Sequence, residues 1–504
     1  MGVKRLKNYV SGQWTESKTH RWLEVRNPAM DEIIAICPES TNEEIDRTVK
    51  VAQDAFWSWR STPPSGRAKL LVNFHEQLQK HQTELVELIV NENGKTLEDA
   101  GRELARALEY IEYAFAGPEL LKGSYTEDGG TGMDTMIIRE PIGPFVFLPS
   151  FDFPALISLH FVWAIAAGNT AIVKANRLCP MTITRIFEIA DECGFQKGIL
   201  NLLHGTGSGV GDALVTHPGT VGVTFVGSPK IGDHVYKAAI NFGKRAQCQG
   251  RAKNLVLIAE DAMIDEAVRN GVDSCFGYGG ERWFAASNVL AVDKVYDKVK
   301  ERFMEFSQKQ TLGYGMDQGV TLGPLVSRDA LNEMLIEVDI AMREGAKLIL
   351  DGRNPKVEKY PNGYFIGPTI VEAEPEMHIF QEEVFGPIRC LKMVKDLAEG
   401  VDVINQSPNG HTASLYTENG GYARHFARLV HVSQVGINMN PPAPIAYFPA
   451  GGRKLSLFRD IQGRLNEAID FFTDKKAILS RWHSSFQGPA KGLEDGFAGR
   501  VAKK

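Results

Sequence analysis

A chain of 504 residues is too long for one hydrophobic core and implies two or three domains. Its apolar, charged and aromatic fractions of 43%, 23% and 9% are those of an ordinary globular protein, which excludes disordered and fibrous classes. A net charge of −6 gives no reason to expect nucleic acid or an anionic membrane as partner. The N-terminus Met1-Gly2-Val3-Lys4-Arg5 is followed by no apolar targeting segment, and no window has the length of a membrane span, so a cytoplasmic protein is expected. Six cysteines (Cys37, Cys179, Cys193, Cys248, Cys275 and Cys390) carry neither paired spacing nor nearby metal-ligand patterns, and read as buried reduced thiols.

Along the chain, apolar residues at three- and four-residue spacing predict helices over 43–59, 67–91 and 97–116. The Gly-rich stretch from Gly123 to Arg139 reads as a hairpin. Short apolar runs follow at 144–148, 170–174, 198–204 and 222–226, each leading into a helix-like segment, which predicts a parallel sheet covered on both faces. Gly205-Thr206-Gly207 and Gly227-Ser228 follow the third and fourth runs, where a doubly wound sheet binds nucleotides. A second series at 255–258, 289–292, 347–350, 369–371, 388–393 and 413–416 implies a second α/β domain. The polar, Gly-rich tail from His483 reads as loosely ordered.

Five motifs carry a family resemblance: Pro149-Ser150-Phe151-Asp152-Phe153-Pro154, Ala167 to Lys174, Phe225-Val226-Gly227-Ser228, Glu382-Glu383-Val384-Phe385-Gly386-Pro387, and Gly280-Glu281-Arg282-Trp283-Phe284-Ala285-Ala286-Ser287. In order and spacing the chain resembles the aldehyde dehydrogenase superfamily, and most of all its CoA-acylating methylmalonate-semialdehyde dehydrogenases, to which Ala252-Lys253-Asn254 and Ile478 to Trp482 are also similar. The resemblance implies two doubly wound α/β domains and a β-hairpin arm that builds a homodimer or tetramer. The expected boundaries are 1–122 with 142–253 for the nucleotide-binding domain, 254–445 for the catalytic-type domain, 123–141 with 464–482 for the arm, and 483–504 for the tail.

The same resemblance implies site residues. Trp283 stands where the family has its nucleophilic cysteine, and an indole cannot attack a carbonyl. Asp152 stands in place of the oxyanion-holding Asn, replacing a donor by an acceptor. Gln249 falls at the usual general base, and Arg251 at a usual Gly. For the cofactor the resemblance gives Ser150, Phe151, Lys174, Gly227, Ser228, Glu383 and Phe385. Arg177, where the family has an acid for the ribose 2′-hydroxyl, favours NADP over NAD, with a solvated Arg as the competing reading. Arg106 matches a substrate-carboxylate arginine, or pairs with Glu103 or Glu109 on its helix surface. Trp283 either plugs the substrate site or, with Phe151, Phe153, Tyr278 and Phe284, forms an aromatic face for substrate, core packing being the default for such a cluster.

These residues lead to an expected NAD(P)-dependent oxidoreductase that reduces an imine or carbonyl of a small molecule by non-covalent hydride transfer, with Asp152 or Glu281 as proton donor. A redox-neutral lyase, isomerase or hydrolase using the same two carboxyls, and a non-catalytic scaffold, are the competing expectations. Ordinary aldehyde oxidation is not expected.

Overall fold

The computed structural model describes residues 2–250, 252–443, 447–448, 451–458 and 465–482. The chain forms two compact units, Met1–Leu121 with Pro141–Thr473, and Lys122–Glu140 with the chain from Asp474 on.

The larger unit holds both principal sheets. The first has eight strands in the order Leu457–Phe458, Arg245–Gln249, Gly222–Val226, Pro144–Leu148, Thr170–Lys174, Leu200–Leu203, Asn8–Val10 and Gln13–Thr15. Its five central strands are parallel. From Pro144–Leu148 the chain adds strands in one direction through Thr170–Lys174 to Leu200–Leu203. It then crosses back to add Gly222–Val226 and Arg245–Gln249 on the other side, so strand order reverses between Pro144–Leu148 and Gly222–Val226.

The second sheet has seven strands, in the order Lys347–Leu350, Thr369–Glu372, Ile388–Val394, Ala286–Val292, Asn254–Ile258, Thr412–Tyr416 and Gln434–Ile437. All pair in parallel except the edge strand Lys347–Leu350. Its central strands are buried on both faces, as their continuous Val, Ile and Leu runs require.

Helices cover the sheets where the periodicity places them. Asn42–Arg60 starts at a capping box: the Glu44 N–H donates to Thr41 Oγ1, and the Glu44 carboxylate accepts from the Thr41 N–H. The single helix expected over 67–91 is two, Pro64–Lys80 and Gln82–Asn93. They part at His81, whose φ of −97° and ψ of 16° leave the helical region. Gly94, at φ +94°, ends the second of them, and Thr96 caps the next, Leu97–Ala114. The strands Lys4–Arg5, Trp22–Asn27 and Glu32–Pro38 form a small sheet that the helical reading of the N-terminal region did not include.

The smaller unit is a three-stranded sheet, Thr473–Arg481, Met133–Pro141 and Ser124–Gly130 in that order. No helix among the described residues is long and apolar enough to cross a membrane. The tail expected from His483 onward lies outside the described residues.

Candidate active site

A cavity of about 1010 Å³ opens at the carboxyl ends of the first sheet's parallel strands. Each strand delivers part of its lining as the chain leaves the sheet. Pro144–Leu148 leads to Ser150, Phe151 and Asp152; Thr170–Lys174 ends in Lys174 and continues to Asn176 and Arg177; Leu200–Leu203 leads to Thr206, Gly207 and Ser208. Gly222–Val226 leads to Gly227 and Ser228, and Arg245–Gln249 ends in Gln249. The crevice where strand order reverses therefore faces the cavity, as in open α/β sheets that bind nucleotides.

Two glycines permit close approach of backbone. A Cβ on Gly227 would lie 2.6 Å from the Phe225 ring, and one on Gly250 would lie 2.6 Å from the Gly227 carbonyl oxygen. The opposite wall comes from residues just before strands of the second sheet: Glu281 and Trp283 before Ala286–Val292, Glu383 and Phe385 before Ile388–Val394, and His411 before Thr412–Tyr416. Glu383 is held by the Ala252 N–H, which donates to its Oε1 at 2.8 Å. Phe385 meets Phe151 edge-on at 5.8 Å.

The wall beside Asp152 is a buried charge network. The Ser150 hydroxyl donates to the Asp152 carboxylate, and the Lys95 ammonium donates to the Glu103 carboxylate and to the Asp152 carbonyl. Glu103 also accepts from the Ala155 and Leu156 N–H groups at 2.7 and 3.2 Å. Burial pushes the Asp152 carboxyl up to about 6, against the opposing pull of Ser150 and Lys95. Burial also raises Glu281 well above the usual carboxylate range, with the Asp152 charge adding to it. Glu281 Oε2 accepts from the Val326 N–H at 3.1 Å, while Oε1 has no partner. Burial lowers His411 to about 3 and Lys174 to about 8, so the imidazole is neutral at physiological pH.

Trp283 is carried by a loop whose shape does not depend on its own side chain. Tyr278, Gly279 and Gly280 lie at φ +61°, +67° and +71°. At Gly280 a Cβ would sit 2.4 Å from the Gly386 carbonyl oxygen, so only glycine fits. The buried Arg389 guanidinium donates to the carbonyls of Cys275, Ile388 and Gly280 at 2.8, 2.7 and 3.2 Å, and Arg282 donates to those of Asp273 and Ser274, each at 2.8 Å. The Asn254 side chain donates to the Trp283 and Ala285 carbonyls at 3.0 and 2.8 Å. The half-buried indole packs against His411 at 4.6 Å and Phe284 at 5.5 Å, and its Nε1 has no hydrogen-bond partner.

The aromatic face expected around Trp283 is only partly on the cavity. Phe151 lines it, whereas Phe153, Tyr278 and Phe284 are not among its lining residues. These three pack on one another at 5.5 Å and hold two cations, Lys95 over Phe153 and Tyr278 and Arg282 over Tyr278 and Phe284. Arg106 is ion-paired with Glu109 on its own helix, the pairing named as the alternative to a substrate role, and is likewise absent from the lining. Arg251 lies outside the described residues.

All six cysteines are buried and none lines the cavity. Burial pushes the Cys275 thiol up to about 12. Among the described residues no group of three His, Cys, Asp or Glu side chains could hold a metal ion. His411 and Lys95 were missed as site residues. An isolated His in Asn409-Gly410-His411 carries no spacing signal, and Lys95 stands in no motif that the resemblance supplies.

Residues 14–478 match the model of the aldehyde dehydrogenase family. The chain belongs to that family. It is 37% identical over 484 residues to malonate-semialdehyde dehydrogenase 2 of Geobacillus kaustophilus (strain HTA426), covering 95% of this chain and 99% of the relative. It is 36% identical over 481 residues to the malonate-semialdehyde dehydrogenase of Halalkalibacterium halodurans, with the same coverage. Among solved structures, a protein assigned as methylmalonate-semialdehyde dehydrogenase from Sinorhizobium meliloti 1021, complexed with NAD, superposes with a TM-score of 0.94 at 33% identity, over 96% of this chain and 99% of that one. Methylmalonate-semialdehyde dehydrogenase from Oceanimonas doudoroffii gives 0.93 at 34%, with the same coverage.

The aldehyde dehydrogenase fold expected from the motifs is thus the fold observed. The expected function is overturned. Relatives at 35–37% identity over 95% of the chain are malonate-semialdehyde dehydrogenases, aldehyde dehydrogenases with a thiol mechanism. Non-covalent reduction of an imine or carbonyl, and the redox-neutral and scaffold alternatives with it, are set aside on that ground. Binding of a nicotinamide nucleotide and of a small-molecule substrate is what the family supports.

Proposed function

We propose that the cavity is the nicotinamide-nucleotide and substrate site of a dehydrogenase of short semialdehydes, the substrate class in its relatives' names, with Trp283 at the position of the family's thiol. The observation that carries the reading is the position of the cavity at the carboxyl ends of five parallel strands, beside the reversal of strand order. Gly227 and Gly250 stand on the lining and put no side chain between the cavity and the backbone there, which suits a pyrophosphate. In this reading Gly227 and Ser228 hold the pyrophosphate, Lys174 the adenosine ribose, and Glu383 and Phe385 the nicotinamide ribose and ring, with Ser150 and Phe151 beside them. When bound, the nicotinamide supplies the hydride acceptor.

Asp152 holds or releases a proton near neutral pH at the cavity wall, and the neutral Glu281 and His411 stand on the opposite wall. No cysteine stands on the wall, so a covalent thiol step needs a thiol that the wall itself does not supply, which adding one to the assay tests. Arg177 favours the phosphorylated nucleotide: it is exposed on the cavity lining, and the Glu39 carboxylate beside Thr206 is taken by the Thr206 N–H and hydroxyl. We place the protein in the cytoplasm as a homodimer or tetramer, with the strands of the smaller unit as its contact; light scattering tests the assembly.

Calorimetric titration with NADP⁺, NADPH, NAD⁺ and NADH tests the site, followed by reduced-nucleotide formation from malonate semialdehyde with and without an added thiol. The expected result is micromolar binding, tighter for the phosphorylated forms, and turnover that depends on thiol. Arg177→Ala should reduce the preference for NADP⁺ about tenfold. Failure of all four nucleotides to bind would refute the reading.

A further inference from the structure

His411 lines the cavity on the wall opposite Asp152. It directly precedes the strand Thr412–Tyr416, and its imidazole meets the Trp283 ring edge-on with 4.6 Å between centroids. One side chain ties the two loops together: Asn254 accepts from the Thr412 N–H at 3.2 Å and donates to the Trp283 carbonyl at 3.0 Å. The His411 carbonyl accepts from the N–H groups of Ser433 and Gln434 at 3.2 and 3.1 Å, and the Gly410 N–H donates to the Ser456 hydroxyl at 3.1 Å. The backbone on both sides of the imidazole is thus pinned, while among the described residues the ring itself hydrogen-bonds to nothing. Nδ1 is enclosed without a partner, which leaves Nε2 as the nitrogen that can meet a ligand. Burial holds the imidazole neutral, and a neutral imidazole keeps one N–H and one acceptor nitrogen. On Nδ1 the proton would be stranded in the protein, whereas on Nε2 it has the cavity to donate into. Asp152 offers no such donor in its ionised form, since its carboxylate already accepts from Ser150 and has no hydrogen to give.

We propose that His411 donates a hydrogen bond from Nε2 to the carbonyl oxygen of the bound aldehyde, from the wall opposite Asp152 and beside position 283. The inference rests on the reading of the cavity as a dehydrogenase site, and adds a catalytic residue to it. A fixed donor aimed at the oxygen where negative charge develops needs no reorganisation when that charge appears, and removing one such donor typically costs about 10²–10³ in rate. Neutrality suits the task, because a neutral imidazole polarises a carbonyl without giving up its proton to it. The pinned backbone on either side supplies the fixity.

The test uses malonamate, which carries an amide in place of the aldehyde of malonate semialdehyde and so presents an unreactive carbonyl. With its amide carbonyl labelled with carbon-13, it is titrated calorimetrically into the full chain in the presence of NADP⁺, and the bound carbonyl stretch is read by isotope-edited infrared spectroscopy. The proteins are the wild type, His411→Gln, His411→Leu and His411→Phe, with circular dichroism reporting the folded state of each. The carbonyl should absorb at a lower frequency in the wild type than in His411→Leu, and binding should weaken about tenfold in that variant. His411→Gln, whose amide still donates, should lie nearer the wild type in both respects. Should His411→Leu fail to fold, His411→Phe carries the test. The frequency decides: the same value in the wild type and in a folded Leu or Phe variant overturns the proposal, as does failure of the wild type to bind malonamate. Nucleotide titration of the wild type alone reports separately on the cavity's assignment, so that nucleotide binding without an effect of His411 sinks this inference and spares that reading.

Discussion

Asp152→Asn should stabilise this protein, and increasingly so as pH rises. The Asp152 side chain is 3% exposed, and burial carries its carboxyl from an ordinary 3.8 up to about 6. A carboxyl raised on folding contributes stability that is fully present below its unfolded value and lost as pH climbs through its folded one. At pH 8 the native state therefore carries a buried carboxylate that costs about 3 kcal/mol relative to its exposed form. Asn cannot ionise, and its carbonyl oxygen still accepts from the Ser150 hydroxyl that now donates to Asp152. The variant's advantage should grow from under about 1 kcal/mol at pH 4 to about 3 kcal/mol at pH 8. Loss of the Asp152 charge also relieves Glu281, in the same direction. Urea denaturation followed by circular dichroism at pH 4, 6 and 8 measures the difference. Parallel stability profiles for the two proteins, or a variant less stable at pH 8, would refute the electrostatic account of this wall.

Lys95→Met should destabilise the fold by about 3–5 kcal/mol, because it strands the buried Glu103 carboxylate without its cation, and Lys95→Met with Glu103→Gln should recover much of the loss in the same denaturation assay. Gly280→Ala should lower soluble yield and Tm far more than Gly345→Ala. Both glycines have positive φ, but only the first has a carbonyl oxygen 2.4 Å from the added carbon, so equal effects would remove the steric argument. Trp283→Cys alone should oxidise malonate semialdehyde poorly, and adding Asp152→Asn should raise the rate about 10²–10³-fold, followed as reduced-nucleotide formation, since the amide restores a donor to the oxyanion. A single variant as fast as the double would sink that reasoning.

Much of the fold was legible because its signals are local. The runs at 144–148, 170–174 and 222–226 are strands with those bounds, since a doubly buried parallel strand has to be a short unbroken apolar stretch. The helix expected over 43–59 from its apolar spacing is the helix Asn42–Arg60, whose period is likewise set by residues a few positions apart. The break at His81 was hidden because apolar spacing continues through it and no proline or glycine announces it. In the site, the backbone-facing residues were the readable ones: Gly227, Ser228 and Lys174 follow strands, and strand ends determine where a cavity can lie. What a side chain touches was not readable. Arg106 turns to Glu109, Phe153 and Tyr278 turn to Lys95, and His411 reaches Trp283 from a position more than a hundred residues on, just before a strand. The expected function failed for a related reason, since the residues at two positions, Asp152 and Trp283, outweighed a likeness spread over nearly the whole chain.

Arg389 spends its buried guanidinium on main-chain carbonyls, and Arg282 does the same for the turn before Trp283. Every chain atom they grip is common to all amino acids. The loop that presents position 283 is therefore held by main-chain contacts that do not depend on the side chain standing there. That property makes position 283 a natural place to install a new reactive group by design.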